Sequence, residues 1–289
     1  MYNKVFSSIL IVIFFLSTIH VHAQVKAYEI FDSKGKKVSF EKMISEVAVA
    51  DIVFFGELHN DPIAHWLQYE MTTALGKQKP LVLGAEMFEA DNQEGLNQYL
   101  AGTMPEDTFK KQVRLWNNYD TDYKKLVEYA KENKMDFIAT NIPRKYARLV
   151  FRGGFEALDT LSDREKSWIA PLPVEYDPEV PCYRNMMNMD MGGHEANVNF
   201  PKAQAIKDAT MAHFILKNVK KNTIFLHFNG SYHSDNKEGI VWYTRRKASQ
   251  LSQMTITTIY QKNVKRLQKE NNGLADFIIC VDENMTTTY

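Results

Sequence analysis

Four times in this sequence a short apolar run ends in a cluster of ionisable or amide side chains. Ile52-Val53-Phe54-Phe55 leads into Gly56-Glu57-Leu58-His59-Asn60-Asp61, and Leu81-Val82-Leu83 into Gly84-Ala85-Glu86-Met87-Phe88. Phe137-Ile138-Ala139 leads into Thr140-Asn141-Ile142-Pro143-Arg144, and Ile224-Phe225-Leu226-His227-Phe228 into Asn229-Gly230-Ser231-Tyr232-His233. Further apolar runs lie at 255–260 and 277–281. Several are rich in β-branched or aromatic residues without polar alternation, the pattern of strands buried on both faces. Helical patterns separate them, at about 62–76, 91–101, 105–116, 122–133, 143–152, 202–220 and 237–250. Asp61-Pro62 has the form of an N-cap followed by proline in the first turn. Strands alternating with helices predict an α/β fold: a mostly parallel sheet covered by helices on both faces.

Residues 154–200 break that rhythm. Pro171, Pro173, Pro178 and Pro181 are followed by Met186, Met187, Met189 and Met191 and then Gly192-Gly193-His194. The excursion is too long for an ordinary αβ loop. Its aromatic residues Trp168, Tyr176 and Tyr183 suit a small helical cap or lid better than an unstructured insertion. The expected organisation is a leader at 1–23 and a single α/β domain at 24–289, with a cap insertion at about 154–200.

The leader reading rests on Lys4, the run Ile9-Leu10-Ile11-Val12-Ile13-Phe14-Phe15-Leu16, and Val21-His22-Ala23 before Gln24. A basic start, a short apolar stretch and a small residue predict a secretory signal peptide cut after Ala23. The run is shorter than the ~20 residues a membrane span needs. No cysteine lies near the cut, so the mature protein is expected to be exported, periplasmic or secreted, and not a lipoprotein. With 35 Lys+Arg against 35 Asp+Glu there is no basic surplus, which argues against a nucleic-acid partner. Two cysteines, Cys182 and Cys280, exclude a disulfide scaffold or a Cys-rich zinc module, and the sequence leaves open whether they pair.

In open parallel sheets, ligands bind outside the carboxyl ends of the strands. If the four runs are neighbouring strands, Glu57, His59, Glu86, Asn141, Arg144 and His233 share one crevice. His65 reads as a satisfied helical histidine, His227 as a core one, and Arg144 alone would pass for a solvated charge. Two carboxylates and two imidazoles suit a divalent metal or acid–base work, and Arg144 offers a fixed fork for a carboxylate or phosphate. No Gly-x-Ser-x-Gly elbow, His-Glu-x-x-His or Gly-rich phosphate loop occurs.

Gly56-Glu57-Leu58-His59, and Gly84-Ala85-Glu86-Met87-Phe88 with Gln93, resemble the ChaN-like haem-binding family, which shares a superfamily with erythromycin esterases and Tiki proteases. Asn141-Ile142-Pro143-Arg144, His194, Ala203-Gln204 with Asp208-Ala209-Thr210-Met211-Ala212, and Gly230-Ser231-Tyr232-His233 add to the likeness, as do Trp116 and Asp122-Tyr123. It spans about residues 45–245. The resemblance implies an α/β core with a smaller helical part, an envelope location and a role in haem or iron acquisition. Many such proteins are lipoproteins, and this chain lacks the cysteine that requires. The esterase and protease branches imply the alternative of a metal-assisted or His-based hydrolase using Glu57, His59, Glu86 and His233.

Haem needs an apolar slot, an axial ligand and cations for its propionates. Tyr183 beside Arg184 is the expected iron ligand, since a nearby guanidinium favours tyrosinate. Tyr176 and Tyr232 are rivals, and His194 is a candidate ligand or hydrogen-bond partner. Asn141 and Arg144 complete the expected ligand-binding set. The methionines suit Cu(I) or, more simply, an adaptable apolar lid. A homodimer sharing haem is compatible with the ligand's two faces, but no residue supports one.

Overall fold

The computed structural model describes residues 25–188 and 197–289. In chain order the elements are β1 (Tyr28–Asp32), α1 (Phe40–Val47), β2 (Ile52–Glu57), α2 (Pro62–Gly76), β3 (Leu81–Glu89), α3 (Gln93–Leu100), α4 (Glu106–Gln112), α5 (Lys124–Glu132), β4 (Asp136–Asn141) and α6 (Arg144–Gly153). They continue with α7 (Asp163–Lys166), α8 (Pro181–Met186), α9 (Phe200–Asn218), β5 (Ile224–Gly230), α10 (Ile240–Lys247), β6 (Gln253–Gln261) and β7 (Phe277–Asp282).

The seven strands form one sheet in the order β1-β7-β6-β2-β5-β3-β4. All neighbours pair in parallel except β1, which runs antiparallel to β7. The mostly parallel α/β architecture expected from the sequence is the one observed. Alternate residues along the strands feed opposite faces, as the pleat requires. Val53, Phe55, Leu83, Leu226 and Phe228 pack with residues of α1 to α5, whereas Ile52, Phe54, Val82 and Phe225 pack with α6, α9 and α10. Asp61 caps α2 by accepting from the Ala64 N–H at 2.6 Å, with Pro62 opening the helix.

Two elements escaped the sequence reading. β1 is a five-residue edge strand whose Glu29 and Asp32 interrupt its apolar content. α1 is eight residues long, with its N-terminus set by the Ser39 side chain accepting from the Lys42 N–H. Both are short, so periodicity had little length to register in.

Residues 154–188 of the expected cap hold α7 and α8. Leu158, Leu161, Ile169, Val180, Tyr183 and Met186 join the cluster on the α9 face. Cys182 and Cys280 are both buried and unpaired, in separate apolar clusters. Burial pushes each thiol up to about 12. His194, Met189 and Met191, like the leader and its cleavage site, lie outside the described residues. Among the described residues, no helix is long and apolar enough to cross a membrane.

Gly84 sits where β3 is flanked by β5 and β4. A Cβ there would lie 2.6 Å from the Phe225 ring and 3.2 Å from His227. Gly84→Ala is therefore expected to destabilise the protein by about 1–3 kcal/mol through overpacking, read as a lowered urea midpoint. An unchanged midpoint would mean that the Phe225 ring yields without cost.

Candidate functional site

The central strands β2, β5 and β3 are neighbours in the sheet although far apart in the chain, and their carboxyl ends bring the site together. Glu57 ends β2 opposite Gly230, the last residue of β5. β3 pairs with β5 only as far as Ala85, and its register with β4 shifts between Ala85 and Glu89. Glu86 is the first residue past that break, a local irregularity of the kind that re-aims side chains. Asn141 pins it by donating Nδ2–H to the Glu86 carbonyl at 3.0 Å.

Glu57 is fully buried, and its two oxygens are saturated. Oε1 accepts from Tyr123 OH at 2.7 Å and from His59 Nδ1 at 2.9 Å, while Oε2 accepts from Gln68 Nε2 at 2.6 Å. Tyr123 is delivered by a π-helical turn, Tyr119–Tyr123, a distortion that recurs at functional sites. Burial opposes the Glu57 charge, but His65, His59 and the Tyr123 hydroxyl outweigh it and hold its pKa below the ordinary carboxylate value. A carboxylate only accepts, so it fixes the proton of His59 on Nδ1.

The His59 side chain keeps 35% of its surface exposed. Its Nε2 makes no hydrogen bond among the described residues, and its ring stands edge-on to Trp116 at 4.8 Å. Gly230 makes room for it: a Cβ there would lie 2.8 Å from Nε2. Burial disfavours the His59 cation, but Glu57 and Glu86 more than compensate and raise its pKa.

Behind His59 a second chain of contacts runs inward. Glu86 Oε2 accepts from the Gly230 N–H at 2.8 Å, and Oε1 lies 3.2 Å from His233 Nε2. The other ring nitrogen of His233, Nδ1, bonds the Asp208 carboxylate, whose Oδ2 accepts from Tyr183 OH at 2.7 Å. Gln204 Nε2 lies 3.2 Å from the His233 ring. Burial works against charge on His233, but the two flanking carboxylates prevail and carry its pKa up to about 10. Burial likewise opposes the Glu86 charge, and His233, His59 and the Gly230 N–H hold its pKa far below the ordinary value. Asp208 moves the other way: burial dominates and its pKa is raised.

The structure thus brings Glu57, His59, Glu86 and His233 to one place, with Asn141 buttressing Glu86. Arg144 is exposed on the first turn of α6, in a neighbouring cleft with Trp116. Tyr232 is 36% exposed and donates its hydroxyl to the Cys182 carbonyl at 2.6 Å. Tyr183 differs from expectation. Its ring is fully buried, and its hydroxyl faces Asp208 rather than Arg184. Arg184 instead reaches toward Glu179 at 3.7 Å. Burial, then the Asp208 charge, pushes the Tyr183 pKa well above the ordinary value, the opposite of what tyrosinate ligation needs.

His65 is a satisfied helical histidine, donating Nε2–H to the His59 carbonyl at 3.1 Å. His227 is a core one, between Thr140 and Asn229, with burial lowering its pKa to about 4. Among the described residues, no group of three or more His, Cys, Asp or Glu side chains is arranged to hold a metal ion. The expected divalent-metal option thus gains no support, because the carboxylate oxygens that would bind one are already engaged by imidazoles and N–H groups. Gln204, Asp208 and Tyr123 entered the sequence reading only as matches to the family pattern, with no role assigned, and Gln68 did not enter it at all. Besides the resemblance, the available signal was Asp208, an acid close to the apolar residues Ala205, Ile206, Ala209, Met211 and Ala212.

A family model described as haem-binding uptake, Tiki superfamily, ChaN matches residues 43–244. The chain belongs to this family. Every residue of the strand-end cluster falls inside that span. The ChaN-like fold is also seen in the Campylobacter jejuni ChaN structure described as showing cofacial haem binding: TM-score 0.66, 20% identity, covering 88% of this chain and 97% of that one. A Bacillus cereus protein matches at TM-score 0.51 and 10% identity, over 89% of this chain and 95% of that one. A curated relative, RETICULATA-RELATED 5 of Arabidopsis thaliana, described as chloroplastic, is 24% identical over 266 residues. That alignment spans 85% of this chain but only 35% of the relative.

His233→Ala would leave Asp208 without a counter-charge and Glu86 with His59 alone, and is expected to cost about 3–5 kcal/mol near neutral pH. The folded-state pKa of His233, about 10, lies above its ordinary value of 6.5. Its stabilisation is therefore complete below pH 6.5 and fades as pH climbs toward 10. Urea unfolding should show the gap between wild type and variant narrowing across that window. A gap that stays flat would mean a neutral imidazole in the folded protein.

Proposed function

We propose that this chain is an exported haem-binding protein acting in haem or iron acquisition, with the ligand taken at the strand-end crevice. Family membership over residues 43–244 is the observation that carries this reading. The donor set fits haem. His59 offers a half-exposed imidazole whose Nδ1 is tied to a buried carboxylate, leaving Nε2 as the unengaged atom, an arrangement that orients histidine for a metal. Leu115 and Trp116, both half-buried, supply an apolar wall beside it. Haem would bring the ferric centre, and the protein's part is to bind it, orient it and shield it from water. His59 is favoured as ligand, Tyr232 is the exposed rival, and His194 keeps the role expected from sequence. Tyr183 would serve only after its hydroxyl left Asp208.

Haemin titration is expected to give a saturable Soret band that His59→Ala weakens and Tyr183→Phe leaves unchanged. Loss of the band in Tyr183→Phe alone would transfer the ligand role to Tyr183. No saturable band in the wild type would sink the reading. Export has its own check: N-terminal sequencing of the mature protein should begin at Gln24.

One observation favours a hydrolytic reading of the same site, the Glu57–His59 dyad standing beside Glu86. His59, oriented by Glu57, would draw a proton from water while Glu86 stays ionised. Such a base contributes about 10²–10⁴-fold. Turnover of an ester and peptide panel should then fall by that order in His59→Ala and also in Glu86→Gln. Turnover indifferent to both changes would remove the hydrolytic reading.

A further inference from the structure

Across the Trp116 indole from His59 lies a cleft of about 440 Å³, within the roughly 300–1,000 Å³ usual for small-ligand sites. Its walls are Leu115 and Trp116, and its rim carries Arg114, Arg144, Lys145 and Arg148 against Glu89 and Asp91. Four cations face two carboxylates, and their pairing is uneven. Arg114 is tied down, donating Nε–H to Glu89 at 2.9 Å and bonding Asp91. Lys145 lies over the Tyr146 ring and 3.9 Å from Glu165. Arg144 and Arg148 make no salt bridge and no side-chain hydrogen bond with any described residue, and both are exposed.

Local physics argues against placing these charges here for stability. Arg144 and Lys145 open α6, whose first turn holds no acidic residue. Cations at a helix N-terminus oppose the macrodipole, and so weaken the helix that carries them. The same arrangement, helix dipole and guanidiniums together, makes a strong field for an anion. Arg144 and Arg148 are four residues apart on one helical face, about 5–6 Å between Cβ atoms. That spacing suits two carboxylates carried on one edge of a single ligand. Trp116 joins the cleft to the strand-end cluster, because its indole also packs edge-on against His59.

We propose that this cleft is the anion-recognising part of the ligand site: Arg144 and Arg148 hold the two carboxylates of a planar tetrapyrrole whose ring lies along Trp116 toward His59. The proposal rests on the haem-binding reading and adds what selects the ligand, a dicarboxylate edge rather than iron alone. Lys145 supplies background field, and Arg114 is neutralised by Glu89 and Asp91.

The test compares haemin, iron-free protoporphyrin IX and protoporphyrin dimethyl ester on wild type, R144A/R148A and a control K77A/K134A at the opposite end of the sheet. Binding is read by Trp fluorescence quenching and, for haemin, by the Soret band. Haemin and protoporphyrin are expected to bind wild type and the control alike. Both should lose about tenfold or more in affinity in R144A/R148A, that is about 1.4 kcal/mol or more. The dimethyl ester should bind wild type as weakly as protoporphyrin binds R144A/R148A, a comparison that does not depend on the variant folding. Wild-type affinity should also fall as salt rises. Haemin binding unchanged in R144A/R148A, or a dimethyl ester bound as tightly as the free acid, would overturn the proposal and leave haem binding standing. Protoporphyrin gripped by the two arginines with no saturable haemin Soret band would keep the clamp and overturn the haem reading. No binding of either tetrapyrrole would end both.

Discussion

Three carboxylates, Glu57, Glu86 and Asp208, are buried at the carboxyl ends of the sheet, and the arrangement stands because each meets an imidazole. An isolated buried carboxylate is costly enough that it would take up a proton instead. Here His59 and His233 alternate with the acids, and the remaining oxygens accept from Gly230 N–H, Tyr123, Gln68 and Tyr183. Glu86 is the hinge of this array: it feels both imidazoles and takes its backbone donor from the strand between them. Asp208 marks the limit, since there burial outweighs His233 and Tyr183.

The topology explains why residues so distant in sequence meet. β2 and β3 follow each other in the chain but flank β5 in the sheet. The β2 end supplies Glu57 and His59, the β3 end supplies Glu86, and the turn after β5 supplies Gly230 and His233. α9 precedes β5 and returns Asp208 to the same end. A glycine ends β5 because the His59 ring occupies the space its side chain would need. The fold and the site are thus one arrangement, with parallel pairing setting the positions and close approach setting the residue types.

Much of this was legible in the sequence, for a physical reason. Strands buried on both faces read as unbroken apolar runs, so the abrupt polar ends at Glu57, Glu86, Asn141 and His233 stood out, and the open-sheet rule made them neighbours. His65 and His227 were separable from the set because each sits inside an element rather than at its end. Partners reached through space left no such mark. Tyr123 arrives from a π-helical turn, Gln68 from the interior of α2, and Asp208 from a helix buried nearly all round. The surroundings of Tyr183 differ from the sequence expectation for the same reason. Adjacency to Arg184 in sequence suggested a cationic neighbour, but a helix sends successive side chains to different faces. Tyr183 therefore turned inward to Asp208 and Arg184 outward to Glu179.

The two imidazoles, alike in sequence setting, are unlike in access. His233 is 5% exposed with both ring nitrogens engaged, so it can hold charge but has no atom to give to a ligand. His59 has one nitrogen engaged and one that bonds no described residue, beside an indole that continues into a cationic cleft. The inner histidine therefore sets the electrostatics of Glu86, and Glu86 in turn biases the outer one. Away from Trp116, Tyr183, Asp208 and Gln204 close around His233. On the Trp116 side the cleft is lined by Arg144 and Arg148, and Arg144 occupies the first turn of α6, where the macrodipole disfavours a cation.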